Sequence, residues 1–166
     1  MLRSVDCSLQ KLVKITSITR RPEMPKTWLE KKACTKPAHV VVLEKKFAGL
    51  PPGTKLLITS PEIIDRYMRN IPSGSFISIM EMRKDLAKSH KADASCPITS
   101  SIHSRILAEI AIEELAEGAS PNSVCPFWRV VDPRSDLARK LSVGAAGIEQ
   151  LRTDELNRKV PNSKST

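Results

Sequence analysis

The side chains of this sequence best able to attack an electrophile, move a proton or hold a metal are its cysteines and histidines. They are Cys7, Cys34, Cys96 and Cys125, with His39, His90 and His103. The cysteines are scattered, with no C-x-x-C pair, and the histidines stand apart from them and from one another, so neither a zinc site nor any cofactor is expected. Cys125 opens the run Cys125-Pro-Phe-Trp-Arg129. Nothing beside it would lower a thiol pKa, so a buried, inert cysteine is expected, with a nucleophilic role as the alternative. A second group, Thr99, Ser100, Ser101 and Arg105, falls at the head of a helical pattern. Hydroxyls and a guanidinium there suit phosphate contact at the positive end of a helix dipole, although Thr99 or Ser100 is equally suited to plain N-capping. His103 is expected to be a partly buried helix residue. Arg129 is read either as a DNA ligand or as a structural arginine bonded to the final helix. Arg134, Arg139 and Lys140 are exposed cations able to touch phosphate.

The charge balance agrees with a polyanionic partner. A net charge of +9 and a pI near 9.6 point first to nucleic acid and second to an anionic membrane surface. No apolar run approaches the roughly 18 residues needed to span a bilayer, so a soluble protein is expected. The length fits one domain with tails, and about 40 % hydrophobic residues suffices for one core. Unpaired cysteines imply a reducing compartment, cytoplasmic or nucleoid/nuclear. The first 21 residues carry five basic side chains against one acid. A basic arm is expected there, with mitochondrial targeting as the alternative.

The elements that must carry these residues can be read in order. Pro22 and Pro25 precede an irregular stretch ending in one or two helical turns around Trp28. Strands are expected at His39–Leu43 and Lys55–Thr59, separated by a Pro51-Pro52-Gly53 loop. Ser60-Pro61 starts a helix whose buried stripe is Ile63, Ile64, Tyr67, Met68 and Ile71, ended by Pro72-Ser73-Gly74. Ser78 with Glu81 is a capping box for a second helix carrying Ile79, Met82 and Leu86 and fading near His90. A third helix follows Cys96-Pro97, with Ile102, Ile106, Ile110 and Leu115 as its stripe and Gly118 as its stop. The last two form a helix-turn-helix pattern. Phe127–Val131 and Leu137–Val143 are expected to be strands joined by the turn Asp132–Ser135, a wing. A last helix carries Ile148, Leu151 and Glu155. The fold expected is mainly α with a small β component, a winged helix-turn-helix. Its parts are a basic disordered arm over 1–25, an extension packing on the domain over 26–54, the domain itself over 55–157 and a disordered tail over 158–166.

This order resembles the C-terminal domain of the methylated-DNA–protein-cysteine methyltransferases, and more closely their alkyltransferase-like relatives. Ile71-Pro-Ser-Gly-Ser-Phe-Ile-Ser-Ile-Met-Glu-Met82 resembles the family's "IPxGxxxSYxxI" run. Cys125-Pro-Phe-Trp-Arg-Val-Val131 resembles its "VPCHRVI" active-site strand, and Ala146-Gly-Ile-Glu149 the "GGxExK" opening of its final helix. The three are colinear over about residues 56 to 156. The resemblance implies approach to DNA from the minor groove, rotation of a damaged guanine out of the stack and alkyl transfer to a cysteine thiolate. The chain departs from the family at the residues that do this chemistry. Phe127 stands at the acceptor cysteine and Trp128 at the histidine that activates it, while Ile79 replaces the tyrosine of the "SY" pair. The place of the family's stack-filling arginine falls near Ser101, one helical turn before Arg105.

A non-enzymatic DNA-binding protein is therefore expected, one that recognises alkylated or distorted duplex DNA in a repair context as a monomer and engages downstream repair proteins. Its DNA-binding set would be Ser78, Thr99, Ser100, Ser101, Arg105, Arg129 and Arg134. Its base pocket would be Pro126, Phe127 and Trp128, with the two aromatics facing opposite sides of a strand. Two alternatives stand beside it. One is an active alkyltransferase using Cys125 as acceptor. The other is a protein-interaction module that has lost DNA binding, favoured by Glu109, Glu113, Glu114 and Glu117 on the third helix.

Overall fold

A computed structural model describes residues 26–159. The arm expected over residues 1–25, Cys7 within it, and positions 160–166 of the expected tail lie outside the described residues. Positions 158 and 159 continue the last helix. The fold is mainly helical, with one small sheet. Strands β1 (His39–Val42) and β2 (Lys55–Ile58) pair antiparallel, with His39 opposite Ile58 and Val42 opposite Lys55. A third strand, β3 (Ala94–Ser95), pairs parallel with Leu56-Leu57 on the other side of β2. Two residues are too short to show a periodicity, so β3 has no sequence signal. It exists because α2 and α3 return the chain to that edge of β2.

Helix α1 (Trp28–Ala33) is opened by a capping box between Thr27 and Glu30. Helix α2 (Pro61–Asn70) follows β2 directly, with Pro61 at its first position and Ile64 and Met68 buried. Ile71 has extended geometry, as the residue before a proline should. Helix α3 (Ile79–Ser89) opens on the expected capping box. Ser78 Oγ accepts from the Glu81 N–H at 3.1 Å, and the Ser78 N–H donates to Glu81 Oε2 at 2.9 Å. Helix α4 (Pro97–Ala116) begins earlier than its serines suggested, with Cys96 at the cap position and no side-chain cap. It stops as expected. Gly118 takes φ +95°, its N–H bonding to Leu115 and that of Ala119 to Glu114, a two-bond C-terminal cap that only glycine adopts without strain.

Helix α4 is the centre of the molecule. Ile106, Leu107, Ala108, Ile110 and Ala111 are buried along it, as are Ser100, His103 and Ser104. The stripe expected from its isoleucines holds only in part, since Ile102 is 50 % exposed. The small residues Ser100, Ser104, Ala108 and Ala111 instead let neighbouring elements approach closely. Leu57, Met68, Met82, Leu86, Val124, Phe127, Trp128 and Ile148 complete the core.

The expected wing does not form after α4. Phe127–Arg129 is a 3-10 turn, and Asp136–Arg139 is the short helix α5, capped by Ser135 Oγ accepting from the Ala138 N–H at 3.1 Å. The physical reason is burial. A half-exposed strand buries alternate residues, but Phe127, Trp128, Val130 and Val131 are all buried. Each aromatic removes about 150–250 Å² from water, on the order of 4–6 kcal/mol as an upper bound, which decides for burying both. The chain closes locally, with the N–H groups of Val130 and Val131 both donating to Phe127 O. Helix α6 (Gly144–Lys159) closes the fold against this turn and α5. Among the described residues no helix is long and apolar enough to cross a membrane.

Candidate nucleic-acid interface

The segment expected to form a base pocket is a structural lock. Phe127 and Trp128 meet edge to face with ring centroids 5.5 Å apart, both sealed from solvent, and Pro126 is also buried. Trp128 Nε1 donates to Glu155 Oε2 at 2.5 Å. Arg129 donates to Glu155 Oε1 from Nε at 2.8 Å and from Nη2 at 2.5 Å, and from Nη1 to Ile71 O at 2.6 Å. Of the two roles read for Arg129, this geometry fits the structural one. Burial alone would raise the Glu155 pKa, but hydrogen bonds from Arg129, Ser73 and Trp128 outweigh it and hold the carboxyl below its usual range. A carboxylate so engaged fixes α6 to the 3-10 turn and to the end of α2. Its charge and both of its oxygens are engaged in holding these elements together.

The surroundings of Cys125 disfavour a nucleophilic thiolate. Its thiol faces Met68 Sδ at 3.6 Å. Burial, reinforced by the nearby Asp65 carboxylate, pushes its pKa far up, so thiolate is scarce.

An open concavity lies on the other side of the Val130-Val131 segment. It is a cleft of about 370 Å³ whose walls include Phe76, Ser78, Ile79, Val131, Asp132 and Arg152. A shallower hollow of about 500 Å³ shares Phe76, Asp132 and Arg152 and adds Arg134 and Glu149. Arg152 organises the cleft. Its Nε donates to Trp128 O at 2.7 Å and its Nη2 to Val131 O at 3.1 Å, while its guanidinium stands 4.5 Å from the centroid of the Phe76 ring. Phe76 itself is 38 % exposed. Sequence reasoning missed both residues. The scarcity of aromatics was the available signal for Phe76. For Arg152 the signal was its place three residues before Glu155, one turn away on the same helix.

At the head of α4 the structure separates the expected phosphate ligands. Thr99 Oγ1 accepts from the Thr59 N–H at 3.3 Å and the Thr59 hydroxyl at 3.1 Å, and His103 Nδ1 lies 3.2 Å from that hydroxyl. Burial lowers the His103 pKa against an opposing pull from Glu62. Ser100 is fully buried and cannot reach a ligand. Ser101 and Arg105 do reach the surface, beside the half-exposed Ile98 and Ile102. The Ser78 hydroxyl is committed to its cap, while the exposed Arg134 keeps its side chain at the shallower hollow. Among the described residues no group of three or more His, Cys, Asp or Glu side chains is placed to hold a metal ion. Compared with known proteins, the chain matches no family model, no curated protein and no solved structure.

Proposed function

We propose that this chain is a non-enzymatic DNA-binding protein that recognises alkylated or distorted duplex DNA, the reading its sequence resemblance implies. The observation that carries it here is the cleft at Phe76 and Arg152. Its volume of about 370 Å³ is of ligand-pocket size. Apolar walls at Phe76, Ile79 and Val131 suit the faces of a base, and Asp132 and Arg152 offer polar groups for its edge. The cleft takes the role expected of Pro126, Phe127 and Trp128. The burial of Cys125 against Met68 supports a reader over an alkyl acceptor. The net charge of +9 supports backbone attraction.

The test is fluorescence anisotropy with matched duplexes, one plain and one carrying a single methylated guanine, across a salt series, with intact mass measured afterwards. Tighter binding to the lesion and an unchanged mass are expected. Phe76→Ala should then reduce the preference for the lesion more than the affinity for plain duplex. Equal losses on both DNAs would overturn the base cleft, and a mass increase on Cys125 would overturn the non-enzymatic assignment. A second reading, a protein-interaction module, is favoured by the exposed Glu113, Glu114 and Glu117 at the negative end of α4. Absence of binding to either duplex at low salt would replace the first reading with the second.

A further inference from the structure

Helix α1 is an unusual partner for the central helix. It packs against α4, yet none of its residues is buried. Trp28 makes the contact. Lys31 Nζ stands 3.7 Å and Arg105 Cζ 5.3 Å from the centroid of its ring. Two cations are thus gathered at one half-buried aromatic, and the carboxylates nearby are turned to other tasks. Glu30 accepts from the Thr27 N–H at 2.8 Å as part of the helix cap. Glu109 accepts from Ser142 Oγ at 2.7 Å and comes only to 4.0 Å of Arg105 Nε, an atom with no hydrogen-bond partner among the described residues. Glu62 is a further acid, close enough to feel the charge of Lys32. The segment 26–36 carries four lysines against Glu30 alone. Ile98 and Ile102 stay about half exposed, so α1 flanks the first turns of α4 and does not cover them.

Lysines and arginines clustered on one face are the electrostatic footprint of a surface that binds a nucleic-acid backbone. We propose that α1 and the exposed head of α4 form one phosphate-binding surface for duplex DNA. Lys31, Lys32 and Arg105 supply the charge, and Trp28 is the post that holds Lys31 and Arg105 side by side. The surface extends the DNA contact to α1, and it rests on the DNA-binding reading above.

The experiment uses the full 166-residue chain and a plain duplex, read by anisotropy over a salt series. The double variant Lys31→Ala/Lys32→Ala leaves the Thr27–Glu30 cap and Trp28 in place. Its affinity should fall several-fold at low salt, and the slope of log affinity against log salt should become shallower by about 1 per lysine. Tryptophan emission supplies a second readout. Trp28 is half-buried and Trp128 sealed in the core, so DNA should change the emission of the wild type and much less that of Trp28→Phe. Wild-type binding with an unchanged slope in the double variant would overturn this surface and leave the DNA reading standing. Failure of the wild type to bind any duplex, with or without binding to anionic phosphatidylserine vesicles, would overturn both.

Discussion

Cys125 and Glu155 show how the same residue types change their chemistry with their surroundings. A thiol held against Met68 in the core exists as the neutral, unreactive form, whereas Cys34 is exposed, with Lys26 Nζ 3.6 Å from its sulfur. Brief treatment of the native protein with iodoacetamide near neutral pH should therefore label Cys34. It should leave Cys96 and Cys125 unlabelled until denaturant is added, as read by peptide mass spectrometry. Labelling of native Cys125 would remove the argument against a nucleophile. Glu155 accepts from the Trp128 indole and balances the charge of the Arg129 guanidinium. Glu155→Gln leaves the Arg129 guanidinium without its ion pair and should lower stability by about 3 kcal/mol at neutral pH, read by urea unfolding. The carboxyl pKa is depressed in the folded state, so its contribution is complete above the ordinary glutamate range. That contribution is lost as pH falls through the folded value, and the gap between wild type and variant should narrow on the acid side. His103 acts in the same direction at higher pH. Buried and depressed, it begins to cost stability as pH falls below about 6.5, the ordinary histidine value.

At the scale of elements, local signals placed α2, α3 and the first two strands within a residue or so. Pro61 at the first helical position, Ser78 with Glu81 and Gly118 act on backbone within a few residues, so their meaning does not depend on the rest of the chain, whereas Ser60 makes no side-chain cap bond. The wing failed because Phe127–Val131 is β-branched and aromatic, which fits a strand and a buried turn equally well. Ser135-Asp136 did carry a helix-start signal, and the expectation of a wing masked it. Helix α6 contains a case where local propensity gives the wrong sign. Replacing Gly147 by alanine in a helix should gain about 1 kcal/mol on propensity alone. A Cβ there would stand 2.5 Å from Val143 Cβ, an atom fixed to the backbone. Gly147→Ala should therefore lower the melting temperature, and a rise would show that this turn relaxes freely.

Across the described residues, burial is concentrated on α4 and is absent from α1. Hydrogen exchange should find the amides of α4 around Leu107 and Ala108 protected to the level of global unfolding, whereas those of α1 exchange through local opening. Exchange of both at one rate would mean that α1 belongs to the core unit. The sequence by itself determined the predominance of helix, the starts of α2 and α3, the stop of α4, the places of the first two strands and the basic character. Each of these rests on composition or on contacts a few residues long. Only the tertiary structure decided that Phe127 and Trp128 are sealed inside, that Ser100 is spent in the core, that Arg129 serves Glu155, and that an open cleft forms at Phe76 and Arg152. It also decided that α1 lies against α4. Whether a polar or aromatic side chain faces water depends on what distant segments bring to it, and residue type and spacing do not encode that.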